Sequence, residues 1–265
     1  MPFHDLLPYL EEEIEDADQE TFLLYSKPMP SQDLGFVDSK APSLEVTLAN
    51  RDVTILQSPT LLTSTRAGGT TGAVLWKVSP PLAEWFAAPT NPLFASAVLT
   101  SSSAVLELGC GISPLNAFAM APRVSQYVLS DQLYVRKILT RNMSANPCCA
   151  AANIDFRPLD WEHDQVASTL ATPSSSFDLV LAADTVYNYA LVQPFVQACV
   201  DACALARHDG RQCVCLVAQQ LRHDDVFSSW LLAFMERFRV WRVRPSVLGG
   251  LDDGFVVHVG VLRDS

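Results

Sequence analysis

The sequence predicts an α/β protein built on a mostly parallel, doubly wound sheet with helices on both faces. Three observations predict it. From Ala104 onward, strand-like and helix-like segments alternate with short connections. The first of these strands runs straight into a glycine pair, Gly109 and Gly111, where such sheets bring backbone close to a ligand. The 265 residues suffice for one such domain with an extension.

The elements follow in order. Leu6 to Lys27 is expected to be a helix, with Leu6, Leu7, Leu10 and Ile14 on one side. The acidic run Glu11, Glu12, Glu13, Glu15, Asp16, Asp18, Glu20 takes the rest, read first as a solvated face and second as a lure for a basic protein. "LEVTLANRDVTILQS" reads as a hairpin about a polar turn at Asn50 to Asp52. "TSTRAGGTTGAVLWKV" leads from a polar loop into an apolar segment ending near Trp85. Residues 1–75 are thus expected to form an extension packed on a domain of residues 76–265. In that domain "AVLEL" is a strand, and Leu115, Phe118 and Ala119 mark a helix. "YVLSD" is the second strand, followed by a helix carrying Val135, Ile138, Leu139 and Met143. "IDFRPLDW" and "FDLVLAAD" are the third and fourth strands. Leu191, Phe195, Cys199 and Cys203 give a helix, "CVCLVAQQL" a strand, "VFSSWLLAFMERF" a helix, and "FVVHVGVL" a closing strand. Short serine and threonine patches at Thr100 to Ser103 and Ser174 to Ser176 are the only low-complexity stretches.

Charge and cysteine usage narrow the classes. A formal net charge of -11 argues against a nucleic-acid clamp and suits a basic partner or simple solubility. The seven cysteines are odd in number and lack a paired C-x-x-C spacing, so reduced core thiols are expected. The N-terminus has no basic flank before a long apolar run, and no stretch reaches 18 uninterrupted apolar residues. A cytoplasmic or nuclear protein, monomeric and off the membrane, is the expectation.

In such sheets the ligand sits at the carboxyl ends of the strands, where strand order reverses. Gly109 and Gly111 free that turn of Cβ atoms, and Cys110 between them is small. The run G-C-G-I-S-P lacks the third glycine of a dinucleotide fingerprint, which disfavours a nicotinamide cofactor. Asp131 ends the second strand about twenty residues on, where a carboxylate accepts ribose hydroxyls. Asp160 and Trp161 close the third strand, offering an acceptor for an exocyclic amine and a flat face for a purine. Ala183 and Asp184 end the fourth. Taken singly, each has a structural explanation: acids cap helices and tryptophans pack. Four in register favour a ligand, an adenosine bearing an amino-acid tail. His258 reads as a sheet residue, His163 and His208 as loop residues, and His223 as a weak candidate at the fifth strand's end. No Ser-His-Asp or zinc pattern can be assembled.

The stretches "TTGAVLW", "VLELGCGIS", "VLSDQ", "LDWE" and "AADTVYNYALVQPF" resemble the seven-strand, S-adenosyl-L-methionine-dependent protein lysine methyltransferases with a D-x-x-Y signature. Within them the chain is similar to the fungal ribosomal lysine N-methyltransferase 5 group, as are "QDLGFVDSKAPSLEVTL" and "QQLRHDDVF". The resemblance implies a seven-stranded Rossmann-like class I methyltransferase fold. It implies cofactor contacts from Trp76, Gly109, Cys110, Gly111, Asp131, Trp161 and Ala183. Asp184 and Tyr187, the D-x-x-Y pair, are implied to line the entrance for a target lysine. Asp184 would attract and orient the ammonium, and the Tyr187 ring would hold it by cation–π attraction, about 0.5–2 kcal/mol. Cys110 stands where these enzymes often carry alanine, and the connection between the second and fourth strands is short. The implied partner is a basic protein, first a large-subunit ribosomal protein, with elongation factors and chaperones as neighbours. A small-molecule methyltransferase and a non-catalytic binding module remain rivals. An adenine methyltransferase would carry an Asn/Asp-Pro-Pro-aromatic turn where this chain reads "ADTVYN".

Overall fold

The computed structural model describes residues 3–27, 34–65, 69–170, 176–205, 212–251 and 254–263. His208 and the serines at 174 and 175 lie outside them. The first part of the chain contributes β1 (Leu10–Glu13), α1 (Ala17–Tyr25), β2 (Ser43–Leu48), β3 (Arg51–Leu56), α2 (Pro59–Leu62), α3 (Ser79–Ala87) and α4 (Pro92–Ala95). The alternating part begins with β4 (Ala104–Leu108), α5 (Leu115–Met120), β5 (Gln126–Asp131), α6 (Arg136–Ala145), β6 (Ile154–Pro158) and α7 (Val166–Leu170). It continues with β7 (Leu179–Ala183), α8 (Tyr189–Cys203), β8 (Val214–Gln220), α9 (Asp224–Arg237), β9 (Phe238–Val243) and β10 (Phe255–Leu262).

One sheet runs β1-β9-β10-β8-β7-β4-β5-β6. β4 pairs in parallel with β5 on one side and β7 on the other. The chain therefore winds outward through β5 and β6, then returns to β7, and the crevice opens at the carboxyl end of β4. β10 pairs antiparallel with β8 and β9. Strands β4, β7 and β8 are buried almost throughout because helices cover both faces.

The architecture is the expected one, with eight strands instead of seven. The extra strand comes from the expected Leu6–Lys27 helix, which the structure breaks into three pieces. Pro8 lies within a 3-10 turn, His4–Tyr9, and its missing N–H does not favour a continuing α-helix. Leu10 and Glu13 then pair with Val243 and Trp241 of β9. α1 begins only at Ala17, where the Asp16 carboxylate accepts the N–H groups of Asp18 and Gln19. Most of the acidic run is exposed, as a solvated face would be, but Glu20 is buried and meets Arg242 and His258. β9 itself, "FRVWRV", follows α9 without a loop and was not among the expected strands.

The hairpin turns at Ala49 and Asn50, both at positive φ (50° and 61°), so Arg51 and Asp52 already belong to β3. Two buried asparagines, one in the last turn of α6 and one capping its end, tie the hairpin to the core. Asn142 exchanges hydrogen bonds with the Leu56 backbone at 2.7 and 3.0 Å. Asn146 does the same with Thr54 at 2.9 and 2.8 Å. None of the seven cysteines is in a disulfide. No described helix is long and apolar enough to cross a membrane. No three His, Cys, Asp or Glu residues converge to hold a metal among the described residues.

Candidate active site

β4 delivers the first part of the site. Beyond Leu108 the backbone turns through Gly109 (φ 71°) and Gly111 (φ 57°), both in the left-handed region that favours glycine. A Cβ on Gly109 would lie 2.7 Å from Thr185 and 3.1 Å from the Trp161 ring. One on Gly111 would lie 3.2 Å from the Gly72 carbonyl oxygen. The turn is pinned from beneath, since the N–H groups of Gly109 and Cys110 both donate to the Ser130 carbonyl.

Asp131, at the end of β5, is oriented by backbone. Its Oδ2 accepts the Gly111 N–H at 2.8 Å and its Oδ1 accepts the Gln132 N–H at 2.6 Å. These two bonds fix the direction in which the carboxylate faces the cleft. Trp161 stands beyond β6, tilted against Phe195 at 5.2 Å. Asp160 beside it accepts the Glu162 N–H and pairs with His163 on the rim. Glu107, on β4, is wholly enclosed. Burial pushes its carboxyl up to about 7, against hydrogen bonds from Tyr127 and Asn116 and with the added repulsion of Asp131.

The opposite wall comes from the Thr71–Trp76 segment and from the end of β7. The Trp76 indole N–H donates to the Thr71 carbonyl at 3.1 Å, and its ring stacks on Tyr187 (6.1 Å, 27°) and meets Phe36 edge-on (4.7 Å). The Thr71 hydroxyl donates to the Tyr187 hydroxyl at 3.2 Å, and the Gly72 N–H donates to the Tyr134 hydroxyl at 3.1 Å. Asp184 follows Ala183 at φ 56°, with its N–H donating to the Ala218 carbonyl. Its side chain is fully enclosed, and both oxygens accept from the Arg222 guanidinium at 2.7 Å. Burial raises the Asp184 carboxyl above its usual value, while the charge and hydrogen bonds of Arg222 pull the other way.

These walls line one cleft at the carboxyl ends of the strands, the place where such sheets bind their ligands. Trp76, Gly109, Cys110, Gly111, Asp131, Asp160, Trp161, Ala183, Asp184 and Tyr187 all line it, whereas the weak candidate His223 does not. The structure adds Thr71, Gly72, Glu107, Tyr134 and Thr185 to the lining. Arg222 also escaped the sequence reading, although it directly follows the apolar strand that forms β8 and its neighbour Leu221. The expectation that differs is the availability of Asp184, whose carboxylate faces Arg222 and not an open mouth. His258 is buried in the sheet, and His223 precedes α9 without capping it through its side chain.

The cleft has the features an adenosine with an amino-acid tail requires. Its floor is a turn that any Cβ would obstruct. Ser113 Oγ, Thr185 Oγ1 and Trp161 Nε1 are buried along it without a hydrogen-bond partner among the described residues. Buried polar atoms are seldom left so unless a ligand or water meets them. The residues present therefore fit S-adenosyl-L-methionine.

Comparison with known proteins agrees with that geometry. The first relative, from Schizosaccharomyces pombe, is named a diaminohydroxyphosphoribosylamino-pyrimidine deaminase; it is 33% identical over 85% of this chain and 52% of that protein. The chain thus spans about half the length of that relative. Ribosomal lysine N-methyltransferase 5 of Zygosaccharomyces rouxii is 28% identical over 67% of each chain. Its counterpart in Lachancea thermotolerans is 24% identical over 79% of this chain and 84% of that one. The sequence profile described as "Lysine methyltransferase" matches residues 55–233, from the hairpin's second strand to the last turns of α9, and so takes in the whole cleft. The chain belongs to the lysine methyltransferase family.

Proposed function

We propose that this chain methylates the ε-amino group of a lysine in a basic protein, foremost a large-subunit ribosomal protein, using S-adenosyl-L-methionine. The observation that carries this reading is the cleft at the ends of β4, β5 and β7, which Trp76, Gly109, Cys110, Gly111, Asp131, Asp160, Trp161, Ala183, Asp184 and Tyr187 all line. Asp131 would take the ribose hydroxyls, Trp161 the purine face and Asp160 the exocyclic amine. The Gly109–Gly111 turn, with Trp76 and Ala183, would hold the amino-acid end. When bound, the cofactor supplies an electrophilic methyl carbon on a sulfonium.

The protein's own task is then alignment and exclusion of water. A free lysine amine is a nucleophile only when neutral, and its ordinary pKa is about 10.4. A mouth walled by the Trp76 and Tyr187 rings desolvates the amine and so favours the neutral form. The names of the yeast relatives and the net charge of -11 support a basic ribosomal target and a cytoplasmic site of action. Incubating the purified protein with radiolabelled cofactor and an extract from cells lacking it tests the proposal. A labelled lysine in a large-subunit ribosomal protein, located by mass spectrometry, is the expected result. Label confined to small molecules, or none at all, would refute it.

A further inference from the structure

The acid of the D-x-x-Y pair has no free face. Asp184 Oδ1 accepts Arg222 Nη2 at 2.7 Å and the Gln220 N–H at 3.3 Å, and Oδ2 accepts Arg222 Nη1 at 2.7 Å. The pair is bidentate, with the side chains 9% and 0% exposed. An ammonium could reach that carboxylate only by displacing a guanidinium that would then be left buried and uncompensated.

Arg222 is placed by more than its counterion. Its Nη1 also donates to Gln220 Oε1 at 3.2 Å. Its guanidinium carbon lies 5.3 Å from the centre of the Trp76 ring, within cation–π range. The N-terminal segment crosses directly over it at Gly35 (φ 86°), where any Cβ would collide with Arg222 Nη1. That segment is held in turn by hydrogen bonds from Val37 N–H to Leu75 O and from Lys77 N–H to Gly35 O, on either side of Trp76. The Trp76 ring thus stands among Arg222, Phe36 and Tyr187.

We infer that Arg222 is a positioning residue for methyl transfer: locked by Asp184, it fixes the Trp76 and Tyr187 rings that form the lysine mouth. Asp184 accordingly acts through Arg222 and does not itself dock the ammonium. This inference rests on the lysine-methylation reading for its kinetic consequence, but not for its structural one.

A fixed-geometry role and a charge role separate through the substitutions Arg222→Lys and Arg222→Met. Lysine keeps the charge but cannot reproduce the planar, bidentate fork or its stacking on an indole. With cofactor saturating and folding checked by thermal unfolding, both variants should lose roughly a hundredfold in kcat/KM, the scale expected of a displaced reacting group. Asp184→Asn should lose a similar factor, and Asp184→Asn combined with Arg222→Met should lose no more than either alone, because one unit has been broken twice. A crystal structure of Arg222→Met should show the Trp76 and Tyr187 rings moved out of their stacked arrangement. Near-normal turnover in Arg222→Lys, additive losses in the double variant, or rings unmoved in Arg222→Met would overturn the inference. Should the wild-type protein methylate no lysine, the functional reading fails, and the ring positions in Arg222→Met still decide this one.

Discussion

At the residue scale, the site depends on atoms that are missing as much as on those present. Gly109 sits at φ 71° with Thr185 and Trp161 at the distance a Cβ would need. Gly109→Ala should therefore both strain the turn, by about 1–2 kcal/mol, and push the Trp161 ring out of line. Calorimetry with S-adenosyl-L-homocysteine should show at least a tenfold loss of affinity, about 1.4 kcal/mol, in a protein that remains folded. Glu107 offers a second test. Its carboxyl is raised from 4.5 to about 7 in the fold, chiefly by burial. A raised folded value means that its contribution is complete below pH 4.5 and is lost as pH climbs through about 7. The stability difference between wild type and Glu107→Gln should fall by on the order of 3 kcal/mol between pH 5 and pH 8. Urea unfolding at several pH values checks it. The strand-end residues of this site were legible because a parallel sheet sends its carboxyl ends to one crevice whatever the details. Arg222 was not, because its meaning depends on facing Asp184, which lies 38 positions away in sequence. Nor was the engagement of Asp184, since a carboxylate in a motif looks the same whether it is open or already held.

At the element scale, α1 is held onto the sheet by a buried charge. Glu20 receives Arg242 Nη1 at 2.9 Å and lies 3.1 Å from His258 Nε2. Burial pushes its carboxyl upward, but the hydrogen bond from His258 and the Arg242 charge outweigh this and hold it below 4.5. Burial holds His258 below 6.5 against the pull of Glu20. Both folded values are depressed, so both groups stabilise the fold at neutral pH. That stabilisation is lost as pH falls, first through the histidine range below about 6.5 and then below about 4.5. Glu20→Ala leaves the buried His258 and the partly exposed Arg242 without their acid and should cost about 1–3 kcal/mol, measured by chemical denaturation at pH 7. This cluster explains why helical periodicity failed over Leu6–Lys27. Pairing with β9 and the pull of the Arg242 cation on Glu20 outweigh local propensity, and neither partner is near in sequence. β9 was missed for the converse reason: with no loop after α9, nothing in the local pattern marks the change from helix to strand.

At the scale of the whole molecule, the reversal of strand order at β4 was readable from the alternation alone, because the crossover rules leave few arrangements for such a chain. The sheet's borders were not. One border is β6, which ends in Pro158 and so closes with a residue that cannot donate to a further strand. The other is β1, four residues long, of which three are glutamates. Removing residues 1–16 would expose β9, six residues rich in β-formers. Such a variant should associate with rising concentration in light scattering while the intact chain does not. Glu13 is taken by Arg239, so a second molecule arriving at the intact border would meet the remaining carboxylates of Glu11 and Glu12 on a strand too short to hold it. The sheet carries its own end-stop, and crowding finds there a brief acidic ledge in place of a long open edge.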